Sequence, residues 1–274
     1  MAVSTSAGTV REALSSAADA LAAAGVPDAR LDAEVLLAAA TGRQRAALTA
    51  ELQAPVAAAH ARAFGGMVRR RLRREPVAYI LGRRGFRRIE LAVDRRVLIP
   101  RPETELLVEL AAELEPTRVL DVGTGSGAVA LAIADELPQA TVAGTDTSAP
   151  ALEVATANAA RLGLCGRASF GAGTVPGGKF DLTVANLPYV AERDWPGLQP
   201  EIREWEPREA LLAGPDGLDA FREVVPLLRS PAVGLEVGAG QADAVAALLE
   251  AAGYGHIELR RDLAGTERVV VGRR

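Results

Sequence analysis

Apolar residues in the first third of the chain recur at helical spacing. Val10, Leu14 and Leu21 share one face of a helix that starts with a capping box at residues 9–12. Gly25 ends this helix, because glycine is favoured just past a helix C-terminus. Residues 1–82 are therefore predicted to form a small helical domain, with further helices near residues 27–42, 44–52 and 56–74.

The pattern changes near residue 85, where apolar and polar residues begin to alternate. Phe86, Leu91 and Val97 are separated by polar residues, which is typical of strands with one buried face. This alternation predicts a β-hairpin with its turn at Asp94. We expect the hairpin, residues 83–99, to connect two domains.

Beyond residue 100, predicted helices and strands alternate. This order predicts an α/β domain over residues 100–274, built on a mostly parallel, doubly wound Rossmann-like sheet. In such a sheet, ligands bind at the carboxyl ends of the strands. The predicted helices are 106–114, 128–135 and 149–162, and the predicted strands are 118–122, 141–145, 182–185, 232–237, 256–260 and 269–271.

Composition narrows the possible functions. The 274 residues contain one cysteine, Cys165, and two histidines, so neither an internal disulfide nor a Cys/His zinc site is expected. We expect Cys165 to be a small buried residue and the protein to be cytoplasmic. Residues 1–8 show no export signal and residues 17–24 are too short an apolar run to cross a membrane, so no membrane association is predicted.

Arginines are concentrated between residues 69 and 101, although the net charge is −4. A belt of this kind can bind an anionic partner, but a solvated helix face and hairpin is the more common explanation for a run of charge. The belt consists of Arg69, Arg70, Arg71, Arg73, Arg74, Arg83, Arg84, Arg87, Arg88, Arg95, Arg96 and Arg101.

A glycine-rich turn follows the first predicted strand of the α/β domain. Gly123, Gly125 and Ala128 fit the pattern of dinucleotide-binding turns, so this segment alone is ambiguous. Asp121, two residues before the first glycine, and a third glycine favour a turn that binds S-adenosylmethionine (AdoMet). Asp146 ends the next strand and is a candidate acceptor for ribose hydroxyls. The predicted AdoMet-binding residues of the turn are Asp121, Gly123, Thr124, Gly125, Ser126 and Gly127.

The segment Asn186-Leu187-Pro188-Tyr189 follows another predicted strand and indicates methyl transfer to nitrogen. A planar amide or aromatic amine has a delocalised lone pair, so an enzyme gains by accepting hydrogen bonds from its N–H groups. The side-chain oxygen of Asn186 and the carbonyl of Leu187 are the candidate acceptors. Pro188 is predicted to stiffen the turn and Tyr189 to stack on the planar group. Asn186 is also a candidate contact of the donor.

Several longer segments resemble the release-factor glutamine methyltransferases, the PrmC/HemK family. The resemblance implies a seven-stranded class I methyltransferase sheet, a helical domain that helps to dock the substrate, and Pro102 and Thr104 lining the donor site. It also implies AdoMet-dependent methylation of the N5 amide nitrogen of the glutamine in the Gly-Gly-Gln loop of peptide chain release factors, by an enzyme expected to be a monomer. The segments are residues 74–82, 97–105, 206–211, 214–218 and 236–238 with Gln241.

Two positions depart from that family. The family usually has Asn-Pro-Pro-Tyr where this chain has Leu187 at the second position, a form that resembles ribosomal RNA adenine dimethyltransferases. The family also commonly has an aspartate where residues 171–174 read Gly-Ala-Gly-Thr. A nucleic-acid adenine N6-methyltransferase and a non-catalytic binding module therefore stay open as alternatives.

Overall fold

A computed structural model describes residues 6–274, so residues 1–5, part of the segment used for the export expectation, lie outside the described residues. The chain divides into two compact units. The first extends to Gly82 and includes Pro200–Trp205, and the second comprises Arg83–Gln199 and Glu206–Arg274. No helix among the described residues is long and apolar enough to cross a membrane.

The first unit is helical, as its apolar spacing predicts. The capping box is present, because the Thr9 side chain accepts from the Glu12 amide and the Glu12 carboxylate accepts from the Thr9 amide at 2.8 Å. Two short strands, which the pattern did not indicate, pair antiparallel. In chain order the elements up to residue 82 are β1 (Ser6–Thr9), α1 (Val10–Ala23), α2 (Ala29–Thr41), α3 (Arg45–Ala50), β2 (Pro55–Ala57), α4 (Ala58–Leu72) and α5 (Val77–Leu81).

The remaining chain alternates strands and helices. Its elements are β3 (Arg83–Phe86), β4 (Ile89–Ala92), α6 (Glu105–Leu114), β5 (Arg118–Val122), α7 (Ala128–Glu136), β6 (Thr141–Asp146), α8 (Ala149–Leu162), β7 (Ala168–Ala172), β8 (Leu182–Asn186), α9 (Pro200–Trp205), α10 (Asp219–Val224), β9 (Ala232–Glu236), α11 (Ala242–Ala251), β10 (His256–Arg261) and β11 (Glu267–Arg273). Of these, α9 belongs to the first unit.

The second unit contains the predicted seven-stranded sheet, in the order β10-β11-β9-β8-β5-β6-β7. The five strands from β9 to β7 run parallel, and β10 and β11 are antiparallel to their neighbours. The α/β fold class is thereby confirmed. The apolar pattern identified six of these strands but not β7, where only Ala168 is fully buried and the apolar signal is weak.

The central strands are buried on both faces, as parallel sheets usually are. Leu182, Val184 and Ala185 of β8 are all inaccessible to solvent. On α7, every residue from 128 to 134 is buried, and its alanines allow the helix to approach the sheet closely. The polar side chains that serve a ligand therefore have to lie at the ends of the strands.

The hairpin is present, but its turn is not the one at Asp94, which begins a separate turn after β4 with its carbonyl accepting from the Val97 amide at 3.1 Å. Strands β3 and β4 pair from Arg83 with Ala92 to Phe86 with Ile89, so the turn lies at Arg87 and Arg88. Arg87 adopts a left-handed φ of 51°, and its guanidinium binds Glu136 through two hydrogen bonds of 2.8 and 2.9 Å. This long-range ion pair stabilises a turn that the local sequence does not signal.

The arginine belt is largely paired with carboxylates of its own unit. In the first unit, buried Arg71 contacts Asp32 and Glu201, each at 2.7 Å, so a solvated helix face is the wrong description for this residue. Arg74 also contacts Glu201 at 2.7 Å. In the second unit, Arg101 binds Glu206. Cys165 is exposed, which contradicts the expectation that it is buried.

We expect the Gly144→Ala variant to unfold more easily than the wild type. A Cβ atom at Gly144 of β6 would lie 2.6 Å from Phe170 Cδ1 and 2.7 Å from Thr124 Oγ1, so its neighbours would have to move. Overpacking of this kind costs about 1–3 kcal/mol of unfolding free energy. Urea denaturation measures the loss. The matched control is Gly171→Ala on β7, where a Cβ would meet no atom within 4 Å; an equal loss in both variants would contradict the packing argument.

Candidate active site

Four neighbouring parallel strands bring polar side chains to their carboxyl ends. Asp121 lies near the end of β5, and Asp146, Asn186 and Glu236 are the last residues of β6, β8 and β9. Asn186 and Glu236 are directly paired in the sheet register. A cavity of about 240 Å³ opens at this edge. Its lining includes Leu98, Gly123, Gly125, Asp146, Ser148, Gly173, Thr174, Asn186, Leu187 and Pro188.

The glycine turn between β5 and α7 requires a left-handed backbone. Gly123, Gly125 and Gly127 have φ values of 73°, 54° and 80°, which other residues rarely adopt. A Cβ at Gly127 would lie 2.9 Å from Leu131 Cδ1, so this glycine permits close packing. A Cβ at Gly125 would meet no atom within 4 Å, and Gly125 lines the cavity. The turn therefore exposes backbone to a ligand.

Asp121 supports this turn from inside the protein. It is buried and accepts hydrogen bonds from Thr124 Oγ1 at 2.6 Å and from the Ala130 amide at 3.1 Å. Burial raises the pKa of Asp121 to about 6, although these two hydrogen bonds favour the charged form. Asp121, Thr124 and Ser126 line a second, smaller cavity of about 50 Å³. A direct role in ligand binding stays a prediction for these residues.

Asp146 lies beside the glycine turn, as its position at the end of β6 indicates. Its Oδ2 accepts from the Gly125 amide at 2.9 Å, and its Oδ1 accepts from the Ser148 amide at 2.8 Å. The carboxylate also lines the larger cavity. A carboxylate has about four lone-pair sites, so it retains acceptor capacity for a ligand hydroxyl.

Asn186 lines both cavities, between the glycine turn and the loop that follows β8. Its Nδ2 donates to Thr104 Oγ1 at 3.0 Å. Leu187 is buried and belongs to an apolar core cluster of the second unit, at the position where the family usually has proline. Leu187 packs against Gly123: its Cδ2 atom lies 3.6 Å from the position that a Cβ atom on Gly123 would occupy. Core packing therefore restrains this turn in place of a second proline ring.

Tyr189 is not among the residues that line the larger cavity, and its stacking on the acceptor stays a prediction. Its carbonyl accepts from Gln241 Nε2 at 3.0 Å, and Gln241 Oε1 accepts from the Gly238 amide at 2.9 Å. Burial raises the pKa of Tyr189 to about 12. Gln241 therefore holds the end of the loop, a role that its sequence position gave no means to predict.

Thr104 and Pro102, which the resemblance of residues 97–105 places at the donor site, differ from each other in burial and position. Thr104 is buried and lines the smaller cavity. Pro102 is exposed at the start of a 3-10 turn, Pro102–Thr104, and lines neither of the two cavities. Its role at the donor site stays a prediction.

The segment that lacks the family's aspartate contributes backbone to the larger cavity. Gly173 and Thr174 line it, the Gly173 amide donates to the Asp146 carbonyl at 3.0 Å, and Thr145 Oγ1 donates to the Thr174 carbonyl at 2.5 Å. These bonds hold the segment beside Asp146 without a carboxylate of its own.

Asn158 of α8 is a supporting residue that sequence reasoning missed. It is inaccessible to solvent, and its Nδ2 donates to the Ser126 carbonyl at 2.9 Å and to the Ala92 carbonyl at 3.0 Å. Its Oδ1 accepts from the Ala92 amide at 2.8 Å. This side chain therefore joins the glycine turn to β4, and a polar residue in a helix was the only signal for it.

We expect Asp121→Asn to become more stable relative to the wild type as the pH rises from about 4 to 7. In the folded protein the pKa of Asp121 is raised from 3.8 to about 6, so the folded state keeps a proton that the unfolded state releases. The raised pKa of Asp121 therefore stabilises the folded wild type below about pH 3.8. This contribution, at most about 3 kcal/mol of unfolding free energy, is lost as the pH rises through about 6. Urea unfolding across this range measures the difference, and a difference independent of pH would contradict the assignment.

Comparisons with known proteins agree over nearly the whole length of the chain. Residues 12–82 match the family model of the PrmC N-terminal domain, and residues 102–197 match that of the methyltransferase small domain. A release factor glutamine methyltransferase of Geobacter sulfurreducens is 40% identical over 97% of this chain and 96% of its own. One from Bordetella pertussis is 44% identical over 93% of this chain and 97% of its own.

Similarity to a solved structure concerns the fold alone. The catalytic domain of hMettl16, solved in complex with hairpin 6 of the MAT2A 3′UTR, matches with a TM-score of 0.53 and 14% identity. The match covers 67% of this chain and 75% of that one. The identity across nearly the full length of the curated relatives is what decides the family: the chain belongs to the release factor glutamine methyltransferases and is a methyltransferase.

Proposed function

We propose that this protein transfers a methyl group from AdoMet to the N5 amide nitrogen of the glutamine in the Gly-Gly-Gln loop of peptide chain release factors. The observation that supports it most directly is the Asn186 side chain, which lines the cavity beside the glycine turn and is held from behind by Thr104. The names of the full-length relatives support the choice of acceptor. We infer that the enzyme is a cytoplasmic monomer.

The residues around the larger cavity fit AdoMet. The open backbone at Gly125 allows a ligand to approach, and the Asp146 carboxylate next to it suits the ribose hydroxyls. Gly123 and Pro188 border the same space. Bound there, AdoMet supplies a methyl group on a positively charged sulfur. In this proposal Asp121 acts by holding the turn, and Thr104 and Pro102 belong to the donor side.

Asn186 and the loop after it orient the acceptor. With Nδ2 donating to Thr104, the Oδ1 atom lies on the opposite side of the amide group and can accept an N–H of the glutamine. Together with the Leu187 carbonyl, it restrains the amide plane so that the nitrogen lone pair faces the methyl carbon. Positioning of this kind supplies several kcal/mol, and oxygen dipoles favour the positive charge that grows on nitrogen.

The chemistry requires no strong base at the start. The nitrogen lone pair forms the new N–C bond, the electrons of the broken C–S bond remain on sulfur, and the nitrogen then loses one proton. The cationic nitrogen is strongly acidic, so water can take this proton. Asn186 fits this scheme because its oxygen accepts a hydrogen bond without removing the proton early.

We propose that residues 1–82 help to dock the release factor, that residues 83–99 connect them to the catalytic part, and that residues 100–274 perform the transfer. The match of residues 12–82 to a domain model of this family supports the division. Within the first unit, the Arg71–Glu201 and Arg74–Glu201 pairs fasten Pro200–Trp205 to the helices. A segment close in sequence to the Asn186 loop is therefore part of the proposed docking unit.

Transfer of label from methyl-labelled AdoMet tests the function. The acceptors are a purified release factor, a variant of that factor with the loop glutamine replaced by alanine, and ribosomal RNA. We expect label on the intact factor only. Label on RNA would support the adenine N6-methyltransferase alternative, and label on no acceptor, without AdoMet binding in calorimetry, would support the non-catalytic one.

The Asn186→Ala variant should lose methyl transfer but still bind AdoMet. Removal of the oxygen that orients the acceptor is expected to lower kcat by about 100-fold or more. The dissociation constant for AdoMet, measured by calorimetry, is expected to change little. Wild-type transfer rates in this variant would exclude the role of Asn186.

The Asp146→Ala variant should show the opposite effect. Loss of a charged acceptor for ribose hydroxyls, about 1.5–3 kcal/mol, is expected to weaken AdoMet binding by roughly 10- to 100-fold. At saturating AdoMet, kcat should recover to near the wild-type value. Unchanged affinity would show that the donor binds elsewhere.

A further inference from the structure

Glu236, at the carboxyl end of β9, is a buried acid that has no part in the methyl transfer proposed for Asn186. It is 2% exposed and pairs with Asn186 in the sheet register. The resemblance that includes residues 236–238 gave it no role. A buried ionisable group next to a reaction centre usually has a specific partner, because burial without one is unfavourable.

Thr104 lies between Glu236 and Asn186. Its oxygen accepts from Asn186 Nδ2 at 3.0 Å, and a hydrogen bond with its side chain lowers the pKa of Glu236. Oε2 of Glu236 has no hydrogen-bond partner among the residues that the structure describes. The three side chains form a short series that leads from the buried acid to the amide.

The direction of these hydrogen bonds follows from the chemistry of the groups. A carboxylate can only accept, so the Thr104 hydroxyl must donate its single proton to Glu236. The oxygen of Thr104 then has only lone pairs to offer to Asn186, which must turn its NH2 group toward it. The Oδ1 atom of Asn186 is consequently directed to the other side.

We propose that Glu236 is a positioning residue that acts through Thr104 to hold the Asn186 amide with Oδ1 available to the acceptor nitrogen. The effect on catalysis rests on the proposed function, but the orientation of Asn186 does not. Neither orientation of a terminal amide is strongly preferred by its own torsion, so a neighbour has to select one.

The protonation of Glu236 controls this selection. Burial raises the pKa of Glu236 to about 7, the hydrogen bond from Thr104 opposes this shift, and Glu103 adds to it. Arg268 and Arg101 lower the pKa, and Tyr189 interacts with the same carboxylate. Protonated Glu236 can donate to Thr104, which frees the hydroxyl to donate to Oδ1 and allows the amide to turn over. The productive orientation is therefore expected above about pH 7.

The first test observes the orientation without any acceptor. The side-chain 15NH2 signal of Asn186, assigned by its absence in Asn186→Ala, should shift with pH and report an apparent pKa near 7. The shift should vanish in Thr104→Val, which keeps the shape but has no hydroxyl, and in Glu236→Gln. It should return in Thr104→Ser. A titration that persists unchanged in Thr104→Val would overturn the proposal.

The second test uses transfer to the release factor. The glutamine in Glu236→Gln can donate a hydrogen bond as well as accept one, so it no longer fixes the Thr104 hydroxyl and the Asn186 amide. The kcat is therefore expected to fall roughly 10- to 100-fold at pH 8. The fall in kcat below about pH 7 should disappear, and the KM for AdoMet should stay within about two-fold. Thr104→Val should lower kcat similarly, and the double variant should lower it no further. Glu250→Gln, an exposed residue of α11, is the matched control and should behave as the wild type.

The two tests separate the inference from the proposed function. Multiplicative losses in the double variant would show that Thr104 and Glu236 act independently, which contradicts the series. Absence of wild-type transfer would refute the proposed acceptor, while the NMR titration would still decide the orientation of Asn186.

Discussion

Burial of the central parallel sheet on both faces is the constraint from which the site follows. Helices cover the strands, so polar side chains along β5, β6, β8 and β9 have room only at the strand ends. Parallel direction places these ends at one edge, where Asp121, Asp146, Asn186 and Glu236 meet. The same arrangement that stabilises the core therefore gathers the groups needed for donor and acceptor.

The groups at this edge are held mainly by hydrogen bonds from partners distant in sequence. Asp146 is held by backbone amides, Asn158 joins the glycine turn to β4, and Gln241 holds the loop after β8. A buried polar group without a partner is costly, so each of these contacts both stabilises the fold and fixes a functional atom. These side chains are thus held in place before any ligand binds. An enzyme that acts by orienting a weak nitrogen nucleophile requires this.

Local patterns predicted much of this protein. The capping box at Thr9, the glycine turn at Gly123 and the polar residue that ends β8 were readable because each depends on a few adjacent residues. The turn at Arg87 was missed because its conformation depends on an ion pair with Glu136, 49 residues away. The contact of Gln241 with the Tyr189 carbonyl, 52 residues away, was missed for the same reason, as was the pairing of Glu236 with Asn186 in the sheet register. Pro102 lies outside both cavities, and its place at the donor site is a prediction from the resemblance alone.

A crystal structure of the protein with S-adenosylhomocysteine and a Gly-Gly-Gln peptide tests the central claim most directly. We expect the ribose hydroxyls to lie on the Asp146 carboxylate and a glutamine N–H to lie within hydrogen-bond distance of Asn186 Oδ1. The nitrogen of that amide should face the sulfur, with the methyl position between them. A ribose bound away from Asp146, or a glutamine amide out of reach of Asn186, would contradict it.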